Sequence, residues 1–415
     1  MRYFMVASFL GLLCAGIIGL GGEQIWYSRW NPYTLALTHA LVLGVFSMVM
    51  CGALLQLVSV LGGQSIVRVR LISTITLLGL TSGTLSLISG FLLGVPWLIA
   101  CAFVLIICSV SLLLFSLLAS IGHTNQQQHS LKTIRLAIGA VLLVILIASV
   151  LVSDHFFVSS FNQTKHLTDS HAGMGLVGWI SLLIMGVSFQ VLPMFHVAPA
   201  FPRWSQRQLP LLLFFTLIAR LLFSLSTNTL NYLTILDIFI EVSLLAYALT
   251  AAKVIYTRKR KIPDLSISLW YIALASLTVC MLLSLFTNVS AIFLVGLFCV
   301  GWVLSIMLAM LVKIAPFLAY IHLQRQCGCD FNAFELLPNV HQLLSKAKIK
   351  YLFFSHCATM CLLITTLLYS AIYPLLAISV GLEFGYLAYL LFGVSKQYHQ
   401  VSRAIGKVMD SSPQQ

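Results

Sequence analysis

Long apolar stretches alternate with short polar ones along almost the whole chain. Twelve apolar stretches approach or exceed the roughly 20 residues that an α-helix needs to cross a bilayer. We number these predicted helices α1 to α12, and they cover residues 3–21, 35–61, 71–94, 97–120, 134–153, 171–195, 209–226, 233–256, 267–287, 290–321, 352–372 and 374–394. The pattern predicts an all-α membrane protein, with one twelve-helix domain over residues 1–395 and a short cytoplasmic tail over 396–415.

Composition agrees with a chain that lies in lipid. Hydrophobic residues make up 60% of the 415 positions, charged residues only 8%, and the mean hydropathy is +1.02. A soluble domain needs far more polar surface than this, so the lipid bilayer is the expected partner. A net charge of +13 would indicate nucleic acid in a soluble protein. Here we expect no nucleic-acid partner, because the positions of the basic residues explain the charge.

Basic residues fall almost entirely on one side of the predicted topology. With the amino terminus inside, nineteen of the 23 Lys and Arg residues lie in inner segments. The outer loops contain only Arg29 and Lys165, and Arg220 and Lys313 lie within helices. Because membrane proteins keep Lys and Arg on the cytoplasmic side, we expect both termini in the cytoplasm. The run "TRKRK" at 257–261 is then an orientation signal or a binding site for anionic lipid.

Three helices carry a similar short pattern. It reads "GALLQLVSVL" from residue 52 in α2, "GVSFQVLPMF" from 186 in α6 and "AMLVKIAPFL" from 309 in α10. In each, a small residue precedes a polar one by four positions, so the two share a helix face. The polar residues Gln56, Gln190 and Lys313 lie 134 and 123 residues apart, which is four helices each time. The pattern predicts three four-helix units related by pseudo-threefold symmetry.

The repeated pattern also has a plainer interpretation. A small residue lets a neighbouring helix approach closely. Pro193 and Pro316, each three residues beyond the polar position, free a backbone carbonyl one turn earlier. The three stretches would then share a packing and kinking device and no further function.

Two histidines begin corresponding helices of two of these units. His39 opens α2 and His171 opens α6, both near the predicted outer face, and the outer half of α10 has no histidine. Neutral imidazole is a common metal and haem ligand, and ionisable groups at membrane depth are more often functional than elsewhere. The alternative is that both rings face water or lipid headgroups. That second interpretation is favoured for His155 and His166 in the preceding loop.

Other polar groups within helices are few. Arg220 in α7 lies at a depth similar to that of Asp237 and Glu241 in α8, so we expect an ion pair with one of them. Such a pair would fix helix packing, move protons or hold a cofactor's carboxylate. Glu383, in the middle of α12, has no partner that the sequence identifies.

The inner face offers two weaker candidate sites. His196 and His322 lie just beyond Pro193 and Pro316, and they form either a second site or unligated interfacial residues. The sequence "CGC" at Cys327–Cys329 lies near His322 in the longest loop, where thiolates and imidazole would suit a soft metal such as Cu(I). A solvated, reduced loop is the alternative, since the ten cysteines do not have the spacing of a disulfide framework.

Twelve helices, three units and histidines at the outer ends of α2 and α6 resemble the haem–copper oxidase subunit I superfamily. That superfamily includes cytochrome oxidases and nitric-oxide reductases. The stretches "HAGMGLVGWISLLIMGVSFQVLPMFH" (171–196) and "LVKIAPFLAYIHLQ" (311–324) are similar to segments of short, divergent members such as NnrS-type haem membrane proteins. The resemblance implies that His39 is an axial ligand of a b-type haem. It implies that His171 is a copper ligand. From the corresponding positions of the two histidines we instead expect His171 as the second ligand of that haem, with the copper role as the alternative.

The chain departs from the superfamily at the remaining ligands. The family has a histidine pair in α7 for copper, and "LPLLLFFTLIARLLFSL" contains none. It has two histidines in α10, one for each haem, and both are missing here. Oxygen reduction and proton pumping are therefore not expected from the fold alone.

Two main functions remain open. The first is a haem-binding protein of the bacterial inner (cytoplasmic) membrane that acts in electron transfer with a cytochrome or other redox partner, or in the response to nitric oxide. The second is a transporter or assembly factor for a small solute or copper, without tightly bound haem, because twelve helices with internal prolines also suit a carrier. A catalytically silent structural subunit is a third hypothesis.

Overall fold

The computed structural model describes residues 1–62, 66–122, 129–157, 164–225, 230–328 and 330–411. Over these residues the chain is helical and contains no strand. Twelve helices are long and apolar enough to span a membrane, which confirms the predicted number. They are α1 (Arg2–Trp26), α2 (Pro32–Val58), α3 (Val69–Leu93), α4 (Pro96–Ile121), α5 (His129–Asp154), α6 (Lys165–His196), α7 (Arg203–Ser224), α8 (Tyr232–Tyr256), α9 (Leu265–Phe286), α10 (Ala291–Cys327), α11 (Lys346–Leu368) and α12 (Ser370–Asp410).

The last helix continues through the residues that the sequence indicates as a tail. Its extension is amphipathic, and Ile405 is fully buried in a small apolar cluster with Leu323 and Cys327 at the end of α10. Gln326 Nε2 also donates to the Ser402 carbonyl at 3.0 Å. Residues 396–410 are mostly polar, so their composition indicates a tail. Their few apolar residues nevertheless recur at helical spacing and form one face of the helix.

Helix neighbours follow a regular order. α1 packs on α2, α5 on α6 and α9 on α10, while α3 pairs with α4, α7 with α8 and α11 with α12. Further contacts join α4 to α5, α8 to α9 and α12 to α1, which closes the ring. The most buried spans are α2, α6 and α10, at 67%, 72% and 61%, against 28–50% for the other nine spans. These three helices therefore form the centre of the bundle, and residues from each of them line an apolar cavity of about 70 Å³.

Each central helix contains a π-helical segment of eight residues. The segments are Ala40–Ser47, Met174–Ser181 and Leu297–Leu304. They begin 134 and 123 residues apart, the same intervals that separate Gln56, Gln190 and Lys313. π-Helical turns are rare and often lie at functional sites, and in the described structure α2, α6 and α10 share this feature at matching intervals.

The fifth residue of each π-helical segment is a glycine. The transmembrane helix that comes just before in the chain packs directly against this glycine. A Cβ there would come within 3.1 Å of the neighbouring Cβ at Gly44, 2.9 Å at Gly178 and 2.8 Å at Gly301. The neighbouring Cβ atoms belong to Leu10, Ala140 and Ser276, on α1, α5 and α9 respectively. Any larger side chain would force the two helices apart, so the glycines set the close packing of these pairs.

Candidate functional site

His39 and His171 face each other where α2 meets α6. Their ring centroids lie 6.5 Å apart, with the ring planes inclined by 26°. His39 directly precedes the π-helical segment of α2, and its ring also packs against Phe91 of α3 at 5.2 Å. The structure therefore brings together the two histidines that the sequence indicates as ligands.

The nitrogens of the two rings have different surroundings. His39 Nδ1 lies 2.8 Å from the Leu35 carbonyl oxygen, which can only accept, so Nδ1 donates and Nε2 of the neutral ring is left unprotonated. His171 Nδ1 is buried, and it has no hydrogen-bond partner within the described part of the chain. A buried polar atom without a partner is costly, although the backbone of Val144 also interacts with this ring.

Contacts on both sides of the histidines hold α2 against α6. Towards the start of the helices, Arg29 forms an ion pair with Asp169. Eight residues beyond each histidine, Trp179 Nε1 donates to Ser47 Oγ at 3.1 Å. The two helices thus keep one register across the pair, and the imidazoles are positioned by more than their own contacts.

The separation of the rings suits one metal ion bound between them. Two metal–nitrogen bonds of about 2 Å each, plus about 1 Å from each nitrogen to its ring centroid, give roughly 6 Å. Among the described residues, no three His, Cys, Asp or Glu side chains lie close enough together to hold a metal ion.

The flanking histidines do not complete this site. His166 is half-buried near the start of α6, and no contact joins it to the His39–His171 pair in the described structure. The side chain of His155 lies outside the described residues, as does Cys329 of the "CGC" sequence. Cys327 of that sequence is buried, and its Sγ donates to the Ala333 carbonyl at 3.4 Å.

The expected ion pair between α7 and α8 is present. Arg220 Nε donates to Asp237 Oδ1 at 2.5 Å, and Nη2 donates to Oδ2 at 3.4 Å. Glu241 instead accepts a hydrogen bond from Ser284 of α9. The cost of leaving a charge unpaired in the membrane explains why each group has a polar partner.

Lys313 forms an ion pair that the sequence does not predict. Its Nζ lies 2.5 Å from Oδ2 of Asp264, whose Oδ1 caps α9 by accepting from the Ser266 amide at 3.0 Å. Burial alone would raise the pKa of Asp264, but the hydrogen bond and charge of Lys313 outweigh it, and the pKa falls below its usual value. The matching positions Gln56 and Gln190 are half-buried.

A polar cavity of about 230 Å³ adjoins this ion pair. His196, Arg260, Asp264 and Lys313 contribute to its wall. His196 is only 4% exposed, and its Nε2 has no partner within the described structure. His322, which the sequence pairs with His196 as a candidate second site, does not line this cavity.

Glu383 has a partner that sequence reasoning missed. His356 Nδ1 lies 2.8 Å from Glu383 Oε1, and the two side chains are 0% and 1% exposed. His356 Nε2 in turn lies 2.7 Å from Ser305 Oγ. A histidine in the middle of the apolar stretch "LFFSHCATM" is a signal of the same kind as Glu383 itself, and the two together would have indicated the pair.

No protein-family model matches the sequence, and no curated protein matches it.

Proposed function

We propose that the chain is a haem-binding membrane protein in which His39 and His171 are the two axial ligands of one b-type haem. The observation that carries the proposal is their placement 6.5 Å apart across the contact of α2 with α6. Haem supplies a reversible one-electron couple when bound. The function that would follow is electron transfer with a cytochrome or another redox partner, or a role in the response to nitric oxide.

The protein's own groups have distinct roles in this proposal. Leu35 holds the ring of His39 through Nδ1, so that Nε2 is the ligating nitrogen. The unpartnered Nδ1 of His171 marks the second ring as one that lacks its full set of contacts. The ion pair of Arg29 with Asp169 and the bond from Trp179 to Ser47 fix the distance between the two helices.

The proposed architecture is three four-helix units around a pseudo-threefold axis. It is supported by the matched π-helical segments, by their glycines, and by the recurring order of helix neighbours. It is the arrangement expected from the resemblance to the haem–copper oxidase subunit I superfamily. The proposal stops short of oxygen reduction, because α7 and the outer half of α10 lack the superfamily's other histidines.

The proposed location is a bacterial inner membrane with both termini in the cytoplasm. Its support is the concentration of Lys and Arg in alternate loops. Topology reporters fused after Lys259 and after Asn288 should then report opposite sides of the membrane. Reports from the same side would contradict this orientation.

Absorption spectra of the purified protein test the haem proposal. We expect a Soret band, with sharp α and β bands on reduction. His39→Ala should abolish the low-spin spectrum, and His171→Ala should shift it towards high spin, because one axial position opens. His166→Ala is the matched control on the same helix and should leave the spectrum unchanged. A featureless wild-type spectrum, or a wild-type spectrum from the His39 variant, would exclude this assignment.

Transport of a small solute is the second candidate function, and the polar cavity beside Lys313 favours it. Its wall combines cationic side chains with the unpartnered His196 Nε2. Copper bound between His39 and His171 would instead suit a copper transporter or assembly factor, since imidazole also binds copper. Metal analysis of protein that shows no haem absorption separates these two alternatives.

A further inference from the structure

Three polar side chains from three helices meet in the middle of the membrane-spanning bundle. Ser305 of α10, His356 of α11 and Glu383 of α12 are 0%, 0% and 1% exposed. His356 lies ten residues, or about 15 Å, from the start of α11, and Glu383 lies about 20 Å from the start of α12. The cluster is therefore far from water at either end of the bundle.

The hydrogen bonds restrict where protons can reside. Ser305 Oγ has a single hydrogen and lies 2.7 Å from the Gly301 carbonyl, which can only accept. If the hydroxyl donates there, it accepts at its other contact, and His356 Nε2 must carry the hydrogen of the 2.7 Å bond between them. His356 Nδ1 then shares the second bond, of 2.8 Å, with Glu383 Oε1.

Two arrangements satisfy these bonds, and both hold one proton between His356 and Glu383. In the first, Glu383 is a carboxylic acid that donates to Nδ1 of a neutral imidazole. In the second, the proton has moved to Nδ1, and an imidazolium donates to a carboxylate. Neither leaves a net charge in the cluster.

The third arrangement lacks this proton and is costly. Glu383 would be a carboxylate, His356 would be neutral with hydrogen on Nδ1, and Ser305 would turn from Gly301 to donate to Nε2. The cluster would then have a net negative charge in an apolar interior. Glu383 Oε2, which is buried without a partner in the described structure, would be an unsolvated anionic oxygen.

Among the described residues, no Lys or Arg forms an ion pair with His356 or Glu383. On the cluster's own helices, Lys313 pairs with Asp264, and the lysine of α11 nearest to His356 in sequence is Lys350, six residues before it. The other titratable side chains close in sequence to the cluster are Tyr386 and the thiols Cys299, Cys357 and Cys361. On the far side of the pair, Thr359 and Ser379 bond to each other at 2.9 Å and so satisfy their own hydroxyls. The retained proton is therefore the means by which the cluster remains neutral.

We propose that Ser305, His356 and Glu383 form a proton-binding site at mid-membrane that holds one proton between His356 and Glu383. The proton passes between Glu383 Oε1 and His356 Nδ1 without any other change of bonding. This site is separate from the His39–His171 pair, and its occupancy does not depend on haem.

Nitrogen NMR of the full-length protein, labelled with ¹⁵N at histidine, tests the proposal. We expect His356 Nε2 to be protonated at neutral pH, with its resonance identified by its loss in His356→Gln. Ser305→Ala provides a second identification, because it removes the group that Nε2 contacts and keeps the imidazole. An unprotonated Nε2 with hydrogen on Nδ1, together with an ionised Glu383 carboxylate in the infrared spectrum, would overturn the proposal.

Infrared difference spectra of wild type against Glu383→Gln show where the proton resides. A carboxylic-acid band missing from the variant, or a carboxylate band together with an NMR-detected imidazolium, would each support a retained proton. A carboxylate band together with a singly protonated imidazole would overturn it. Neither measurement needs haem, so failure here is distinguishable from failure of the haem assignment.

Discussion

Two buried pairs in this protein contain histidine, His356–Glu383 and His39–His171. They differ in whether the ring nitrogens have hydrogen-bond partners within the protein. In the His356–Glu383 pair, both imidazole nitrogens have protein partners, at 2.8 and 2.7 Å. In the His39–His171 pair, one nitrogen bonds to a backbone carbonyl and His171 Nδ1 has no partner in the described structure. A satisfied histidine has little left to offer a ligand, whereas an unsatisfied one does. The surroundings of each histidine, more than its burial, distinguish a cofactor site from a proton site.

The largest expected effect comes from breaking the satisfied pair. Glu383→Leu leaves His356 buried beside an apolar side chain, and the loss of one partner of a buried pair costs about 3–5 kcal/mol. Thermal unfolding in detergent should show a clear loss of stability. The double variant His356→Leu/Glu383→Leu should recover much of it, because an apolar pair needs no partner. Equal stability of Glu383→Leu and wild type would mean that the pair does not stabilise the fold.

The ion pair of Lys313 with Asp264 is more exposed to solvent than the His356–Glu383 pair. Its contribution to the free energy of unfolding should therefore depend on pH. The pKa of Asp264 lies below its ordinary value of 3.8, so its contribution is present above that pH and is lost as the pH falls through the lower folded value. Unfolding measured on both sides of this window should show a stability loss in wild type. Asp264→Asn should lack this part of the pH dependence, and an unchanged dependence would contradict the assignment.

A smaller effect is expected where α2 contacts α6 beside the histidines. Ser47→Ala removes the acceptor for Trp179 Nε1 and should cost about 1 kcal/mol. Since the bond also helps to hold His39 opposite His171, a haem-loaded sample should show a weaker low-spin spectrum. Ser149→Ala, on a helix surface away from this contact, is a suitable control. An unaltered spectrum would show that other contacts position the histidines.

The smallest effect is expected at the unsatisfied histidine itself. In haem-free protein, His171→Phe should change stability by less than about 1 kcal/mol, because it removes an unpartnered polar atom and keeps a ring of similar size. His356→Phe under the same conditions should be strongly destabilising. If the two substitutions have equal effects on thermal unfolding, the distinction between the pairs is incorrect.

Sequence reasoning was successful where local physical limits decide the result. Apolar length and the cost of intramembrane charge are visible in a linear sequence, and they predict the twelve helices and the Arg220–Asp237 pair. They do not give the rotation of one helix against another, which is why Glu383 was left without His356. The two residues are 27 positions apart on different helices.

Two further features depend on three-dimensional packing. The extension of α12 to Asp410 depends on packing against apolar residues at the end of α10. This packing cannot be predicted from the composition of the segment alone. The Lys313–Asp264 pair joins a helix interior to a residue at a helix start. The sequence identifies His39 and His171 as candidate ligands from their corresponding places in two units, but their proximity comes from the structure, and their role as haem ligands remains a prediction.

The π-helical segments also determine how a change of chain length would act. An i→i+5 turn holds one residue more than an α-helical turn, so the residues on either side of it are out of phase with a continuous α-helix. A π-helical turn and an α-helical turn one residue shorter cover about the same rotation, so deleting one residue from Ala40–Ser47 would let the segment revert to α-helix with His39 still opposite His171. Forcing the segment into α-helix at its full length would instead rotate the part of α2 that precedes it by about 100° relative to the part that follows. His39 would then turn away from His171 while Gly52 and Gln56 kept their neighbours, so the π-helical segment sets the rotation between the two halves of the helix.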